Sequence, residues 1–214
     1  MYVGMWMNRE VITIAPEASL AEARELFRKH RIRRLPVVRD DRLVGIVSPG
    51  DVEKAMPSIL DAQNSQETEF LSATTQITAI MTAAPLTVSP DASLVEAVGV
   101  MRHNKIDGLP VVEEGRLVGI LSITNILDAF LDMMTTEHAG VRFDLKIDHR
   151  SGSFYKMIKA FQRQDKEILA IMQYHDFSRD QQLISVAIRG REHDALLDML
   201  WDSGVKVERV TPIT

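Results

Sequence analysis

Hydrophobic positions fall into short, sharply different patterns along the chain. Val11, Ile12 and Ile14 form an apolar run that stops at Pro16 and predicts a strand. Leu20, Ala23 and Phe27 follow at i, i+3, i+7, the spacing of one helical face. Ser19 and Glu22 stand just before that stripe at capping-box spacing. There a hydroxyl and a carboxylate can satisfy the first free N–H groups of a helix. Leu35-Pro36-Val37-Val38, a polar turn and Leu43-Val44-Gly45-Ile46-Val47 predict two more strands, and a second helix is expected from Asp51.

The same succession then returns. Pro16 and Pro90 fix an offset of 74 residues, and Met7 falls on Met81. Laying Val11–Ala55 on Pro85–Ala129 needs no gap, and about 20 of roughly 45 positions are identical. The second copy repeats the strand (Leu86, Thr87, Val88), the Ser93-x-x-Glu96 cap and the stripe Leu94, Ala97, Met101. It goes on through Leu109-Pro110-Val111-Val112 and Leu117–Leu121 to a helix from Asn125. Each copy reads β-α-β-β-α. Units of this size cannot close a core alone, so the copies are expected to pack on each other. Met56–Gln76 between them is rich in Ser, Thr, Gln, Asn and Glu, with Leu60, Phe70 and Leu71 interspersed; it predicts a surface linker with a helical turn.

From Ala139 the pattern changes. Val141, Phe143, Leu145 and Ile147 alternate with charged residues, the mark of a half-buried strand. Phe154, Ile158 and Phe161 mark a helical face, and Ile168–Tyr174 and Leu183–Ile188 predict strands joined by a polar hairpin around Asp176–Gln182. Leu196, Leu197, Leu200 and Trp201 predict a helix stopped by Gly204 at C′, and Val205, Val207 and Val210 a last strand. The order is βαββαβ, the ferredoxin-like arrangement, so the fold class is α+β throughout.

Composition narrows the function classes. The 214 residues are 45% hydrophobic and 26% charged, an ordinary globular balance. A net charge of -5 argues against a protein that coats nucleic acid. There are no cysteines, which excludes disulfides, thiolate metal sites and cysteine nucleophiles. No apolar run reaches the roughly 18 residues of a membrane span. Met1–Arg9 lacks the features of a secretory signal, so a soluble, cytoplasmic protein is expected. The duplicated region carries 13 basic against 18 acidic residues up to Thr135, which leaves the rest near neutral. The six histidines show no HxxxH, HxH or HExxH spacing, and no GxSxG, P-loop or GxGxxG occurs, so no enzymatic activity and no metal are expected.

The duplicated Leu-Pro-Val-Val units, followed by Gly45-Ile-Val-Ser48-Pro-Gly-Asp51 and Gly119-Ile-Leu-Ser122-Ile-Thr-Asn125, resemble a tandem pair of CBS domains, a Bateman module. The pair spans 1–135, with repeat one about 1–56, a linker 57–76 and repeat two 77–135. Residues 139–214 resemble an ACT domain more loosely, in strand order and in Asp148-His-Arg-Ser-Gly152, which lacks the proline usual before that glycine. Together the arrangement is similar to bacterial acetoin-utilisation-type CBS–ACT proteins. The resemblance implies a regulatory ligand sensor that binds an adenine nucleotide (AMP, ADP or ATP) or S-adenosylmethionine, with no obligatory cofactor. It further implies a homodimer, an unidentified protein target, and an ACT-like domain that binds an amino acid or mediates dimerisation. The competing classes are a structural interaction protein with empty clefts and an amino-acid sensor.

Site residues follow from that pattern. A carboxylate offers two oxygens to the vicinal hydroxyls of ribose, the role implied for Asp51, with Ser48 near ribose or phosphate and the helix start behind them. The competing reading makes Ser48 and Asp51 simple helix caps. Arg28, Lys29 and their neighbours suit a helix C-terminus, whereas Arg33 and Arg34, approaching Pro36, are read as phosphate ligands. Thr13 and Thr87, with the backbone of Ile14 and Val88, are placed at the adenine edge. Repeat two offers Pro110, Ser122 and Asn125, and it has Asp107 and Gly108 where repeat one has the two arginines. The clefts should therefore be unequal. Whether a basic residue of one copy serves the ligand of the other stays open at this point.

Overall fold

A computed structural model describes residues 1–56, 65–134, 139–146, 152–178 and 181–213. The chain forms two compact units, Met1–Ala129 and Phe130–Thr214.

Unit one runs α1 (Val3–Trp6), α2 (Leu20–His30), β1 (Leu35–Arg39), β2 (Arg42–Val47), α3 (Pro49–Ala55), α4 (Ser65–Thr74) and β3 (Thr82–Ala83). It continues with α5 (Leu94–Asn104), β4 (Gly108–Glu113), β5 (Arg116–Ser122) and the first turns of α6 (Ile123–Met134), whose last residues belong to unit two. Two hairpins, with β3 added on β2, make its sheet. Each turns on two residues of positive φ, Asp40 (51°) with Asp41 (62°), and Glu114 (49°) with Gly115 (82°). That backbone matches the twist of the flanking strands. The sheet order is β1-β2-β5-β4, and the hairpins meet at Arg42 opposite Arg116, equivalent positions of the two copies. The copies thus pack about a local pseudo-twofold, as expected of units that cannot close a core alone.

Two predicted elements differ. The leading strand of each copy is a single parallel bridge, Ile14 to Val37 and Val88 to Val111. Pro16 and Pro90 follow within two residues, and a residue without N–H ends the ladder. The linker holds α4, ten residues rather than one turn, because it packs on α2 and buries Ser72 there; Leu60 lies outside the described residues.

The segments ahead of the copies cross over. Val3 and Met7 precede copy one yet pack into the core of copy two with Leu94, Met101, Leu109 and Leu121. Ile77 and Met81 precede copy two yet pack into the core of copy one with Leu20, Leu35 and Val47. The equivalent points of contact in the two copies are glycines. A Cβ on Gly119 would lie 2.5 Å from Met7 Sδ, and one on Gly45 would lie 2.5 Å from Met81 Sδ.

Unit two runs β6 (Gly140–Lys146), α7 (Ser153–Arg163), β7 (Ile168–Asp176), β8 (Gln181–Arg189), α8 (Asp194–Asp202) and β9 (Lys206–Ile213). The sheet is antiparallel with order β7-β8-β6-β9. Val141, Phe143 and Leu145 are buried in alternation and share one core with Met157, Phe161, Leu196 and Leu200. Gly204 takes φ 78° after the C-cap Ser203, the C′ position expected of it. Two predicted core residues are exposed, Phe154 at 50% and Trp201 at 66%. Phe154 sits in the first turn of α7, beyond the core that Met157, Ala160 and Phe161 fill, and Trp201 lies off the Leu196–Leu200 stripe.

Candidate functional site

The edge of β2 feeds directly into the candidate site. Ser48 leaves β2 in extended conformation and caps α3, with Pro49 at the first helical position, where its missing N–H costs nothing. Asp51 Oδ2 accepts from Ser48 N at 2.8 Å and Ser48 Oγ at 2.6 Å, while Ser48 Oγ accepts from Asp51 N at 3.3 Å. Repeat two builds the same box with an amide: Asn125 Oδ1 accepts from Ser122 N at 2.9 Å and Ser122 Oγ at 2.7 Å. The capping reading is therefore realised in both copies. It does not use up Asp51, because its Oδ1 takes no part in these bonds.

Ser48 and Asp51 open onto a cleft of about 290 Å³ that the other copy completes with Leu86, Gly108 and Pro110. Arg34 stands at the same cleft. A second cleft, of about 280 Å³, is lined by Glu10, Ile12, His30, Arg34 and Ile120. Ile12, Arg34 and Ile120 are the 74-residue equivalents of Leu86, Gly108 and Ile46, so the two clefts are pseudo-twofold mates. Each joins residues of both copies. Arg34 Nη2 pairs with Asp107 Oδ1 at 2.5 Å, across the repeats.

Other expected site residues are placed less centrally. Pro36 is buried within β1, and Ile14 is buried at its bridge. Val88 is half-buried at the equivalent bridge, and Thr13, Thr87 and Arg33 are exposed and line neither cleft. Ser122 and Asn125 are half-buried but do not line the second cleft. Leu86, Ile106 and Gly108 were not anticipated as lining residues. The offset alone carried the signal for them, since their equivalents Ile12, Ile32 and Arg34 line the mate cleft.

Family comparison agrees with this geometry. The CBS-domain model matches residues 3–58 and 77–132, more than half of the chain. The chain belongs to the CBS-domain family. The CBS pair is 39% identical over 119 residues to inosine-5'-monophosphate dehydrogenase of Korarchaeum cryptofilum, a match covering 55% of this chain and 22% of that protein. The chain thus spans about a fifth of the length of such dehydrogenases, and the match lies in the CBS portion. Among solved structures, an acetoin utilisation protein (AcuB) of Vibrio cholerae matches with TM-score 0.54 and 29% identity, over 63% of this chain and 93% of that one. The CBS pair of protein MJ0100, in complex with 5'-methylthioadenosine and S-adenosylmethionine, matches with TM-score 0.51 and 31% identity over 61% and 95%. CBSX2 of Arabidopsis thaliana, in complex with AMP, matches with TM-score 0.53 and 30% identity over 63% and 98%.

In unit two, Asp144, Tyr174, Asp176, Glu208 and Arg209 line a cavity of about 450 Å³. Burial, then the neighbouring Asp144 carboxylate, pushes the Tyr174 hydroxyl above its ordinary pKa. Of the expected loop Asp148–Gly152, only Gly152 lies within the described residues, at φ 66° ahead of α7. Among the described residues no group of three His, Asp or Glu side chains is arranged to hold a metal, and no helix is long and apolar enough to cross a membrane.

Proposed function

We propose that the CBS pair is a regulatory sensor of an adenine nucleotide, or of a related adenosyl compound such as S-adenosylmethionine. One observation carries this reading: Asp51 and Ser48 of one copy share a cleft with Leu86, Gly108 and Pro110 of the other, with Arg34 beside them. In this reading Asp51 Oδ1 accepts from the ribose hydroxyls and Leu86 and Pro110 present apolar surface to the adenine. Arg34 meets phosphate, Arg33 stands outside both clefts, and Thr13 and Thr87, with the Ile14 and Val88 backbone, flank the adenine edge. Pro36 and Ser122 support the two strands' ends, and Asn125 is a weaker ribose acceptor than Asp51 because an amide has no net charge. Two relatives with matching folds hold AMP, or 5'-methylthioadenosine with S-adenosylmethionine, and this lends the reading further support.

A ligand that spans two copies shifts their arrangement only by its differential affinity for the two states, typically about 1–3 kcal/mol of coupling. The signal passes to a homodimer partner or to a separate protein target. In the same reading residues 1–135 form the CBS pair and 139–214 an ACT-type, ferredoxin-like domain that pairs subunits or binds an amino acid. The βαββαβ order and the β7-β8-β6-β9 sheet support that assignment. The likeness to AcuB suggests a setting in acetoin utilisation.

Calorimetry on ligand-stripped protein tests the sensor reading. Heat of binding from at least one of AMP, ADP, ATP or S-adenosylmethionine is expected. Silence from all of them at millimolar concentration overturns it and leaves a structural protein with empty clefts.

A further inference from the structure

The pseudo-twofold that relates the two clefts is broken in charge at several positions, and position 34 is the one that touches both clefts. Position 34 of copy one is arginine, and its mate in copy two is Gly108. Arg34 lines the Ser48/Asp51 cleft and also its mate, and it is the residue common to the two linings. The glycine makes this sharing sterically feasible. A Cβ on Gly108 would lie 3.1 Å from Arg34 Cγ, so a side chain of copy two's own there would crowd the arginine stem.

The neighbouring position is inverted in charge as well. Arg33 is exposed and lines neither cleft, while its mate Asp107 pairs with Arg34 at 2.5 Å. The ionisable residues lining the first cleft are Asp51 and Arg34, and those lining the second are Glu10, His30 and Arg34. One arginine therefore stands between two clefts, each of which also presents a carboxylate.

We infer that Arg34 is a single phosphate-binding cation shared by both clefts, so that the CBS pair holds one phosphate-bearing ligand tightly at a time. This inference rests on the nucleotide reading above and adds a rule of occupancy to it. A phosphate in either cleft must draw the guanidinium away from Asp107. Once drawn, the guanidinium is no longer available to the other cleft, where a second phosphate would face carboxylate without its cation. A neutral adenosyl ligand needs no cation and is not subject to this competition. The occupancy rule thus discriminates by charge: one anionic ligand excludes another but not an uncharged one.

Titration calorimetry of the full chain tests this with AMP and with the neutral 5'-methylthioadenosine. Methylthioadenosine is expected to fill both sites, the Asp51 cleft more tightly because Asn125 is the weaker ribose acceptor. AMP is expected to fill one site, with a second binding at least about tenfold more weakly, the scale of one charge-assisted hydrogen bond. Arg34→Ala should lower AMP affinity about ten- to a hundredfold and bring the ratio of its two sites to that of methylthioadenosine, whose own affinity moves far less. Asp107→Asn removes the competing anion and should strengthen AMP several-fold without moving methylthioadenosine. This variant keeps the side-chain volume and carries the test if Arg34→Ala fails to fold. Two equal AMP sites in the unaltered protein, a single methylthioadenosine site, or an Asp107→Asn chain with unchanged AMP affinity each overturn the sharing. If no adenosyl compound binds at all, the sensor reading itself falls, an outcome distinct from two equal AMP sites.

Discussion

Asp51 has two oxygens and the structure employs only one of them in the cap. Asn125 makes the same cap with its amide oxygen, so a carbonyl is sufficient for the helix start. Asp51→Asn is therefore expected to keep the melting temperature close to that of the parent while weakening AMP and adenosine alike. Asp51→Ala should lose both functions, with about 1 kcal/mol of stability going with the cap. Parallel thermal melts and calorimetry separate the two effects, and undiminished adenosine binding by Asp51→Asn removes the ribose role. Glu22 is the acid-sensitive counterpart. Its carboxylate accepts from Ser19 N at 2.7 Å, and the Ser19 backbone and side-chain bonds hold its pKa below the ordinary 4.5. A carboxyl lowered by folding stabilises fully above its unfolded value, and the contribution is lost as pH falls through the folded value. Glu22→Gln should therefore reduce the loss of stability below pH 4.5, read as a shallower acid limb in a denaturation series against pH. An acid limb identical to the parent's would show that the cap does not depend on that charge.

At the scale of elements, the close approaches are decisive. Gly140 opens β6, the strand that pairs with both β8 and β9, and a Cβ there would stand 2.0 Å from the Ile188 carbonyl oxygen. Backbone cannot yield as a flexible side chain does. Gly140→Ala is expected to cost at least the ~1–3 kcal/mol of overpacking and to expose the β8 amides near Ile188 in hydrogen exchange. Parent-like protection there would show that the strand end can shift cheaply. The crossing segments make a gentler test. Gly119→Ala presses on Met7 Sδ, with Asn8 O also 3.1 Å away, and should destabilise by about 1–3 kcal/mol. Met7→Ala in the same chain should recover part of that loss, because the two residues share one space; strict additivity in the double-mutant cycle would contradict the contact.

At the scale of the whole molecule, the two units have separate cores. Phe143 is fully buried in unit two, edge-to-face with Phe161 at 6.0 Å and 74°. Phe143→Ala is expected to cost about 3–5 kcal/mol, felt in the unfolding of unit two. The thermal shift that a nucleotide gives unit one should be unchanged, and a lost shift would show that the units are energetically coupled. The same division governs what could be read from sequence. Alternation and helical stripes are local, so the Val141–Leu145 strand, the capped helices α2 and α5 and the Gly204 stop were legible without a fold. The 74-residue offset exposed the duplication and the matched Ser48/Asp51 and Ser122/Asn125 boxes, because those bonds close within three residues. Three things were settled only by tertiary structure. The leading strands shrank to single bridges, the linker helix α4 was held by packing on α2, and the segments carrying Met7 and Met81 crossed to the opposite copies. A fourth is the place of Arg34 at the lining of both clefts. Local periodicity specifies which side chains a segment presents, but contact between residues 34 and 107 depends on how two copies meet, and no spacing along the chain encodes that.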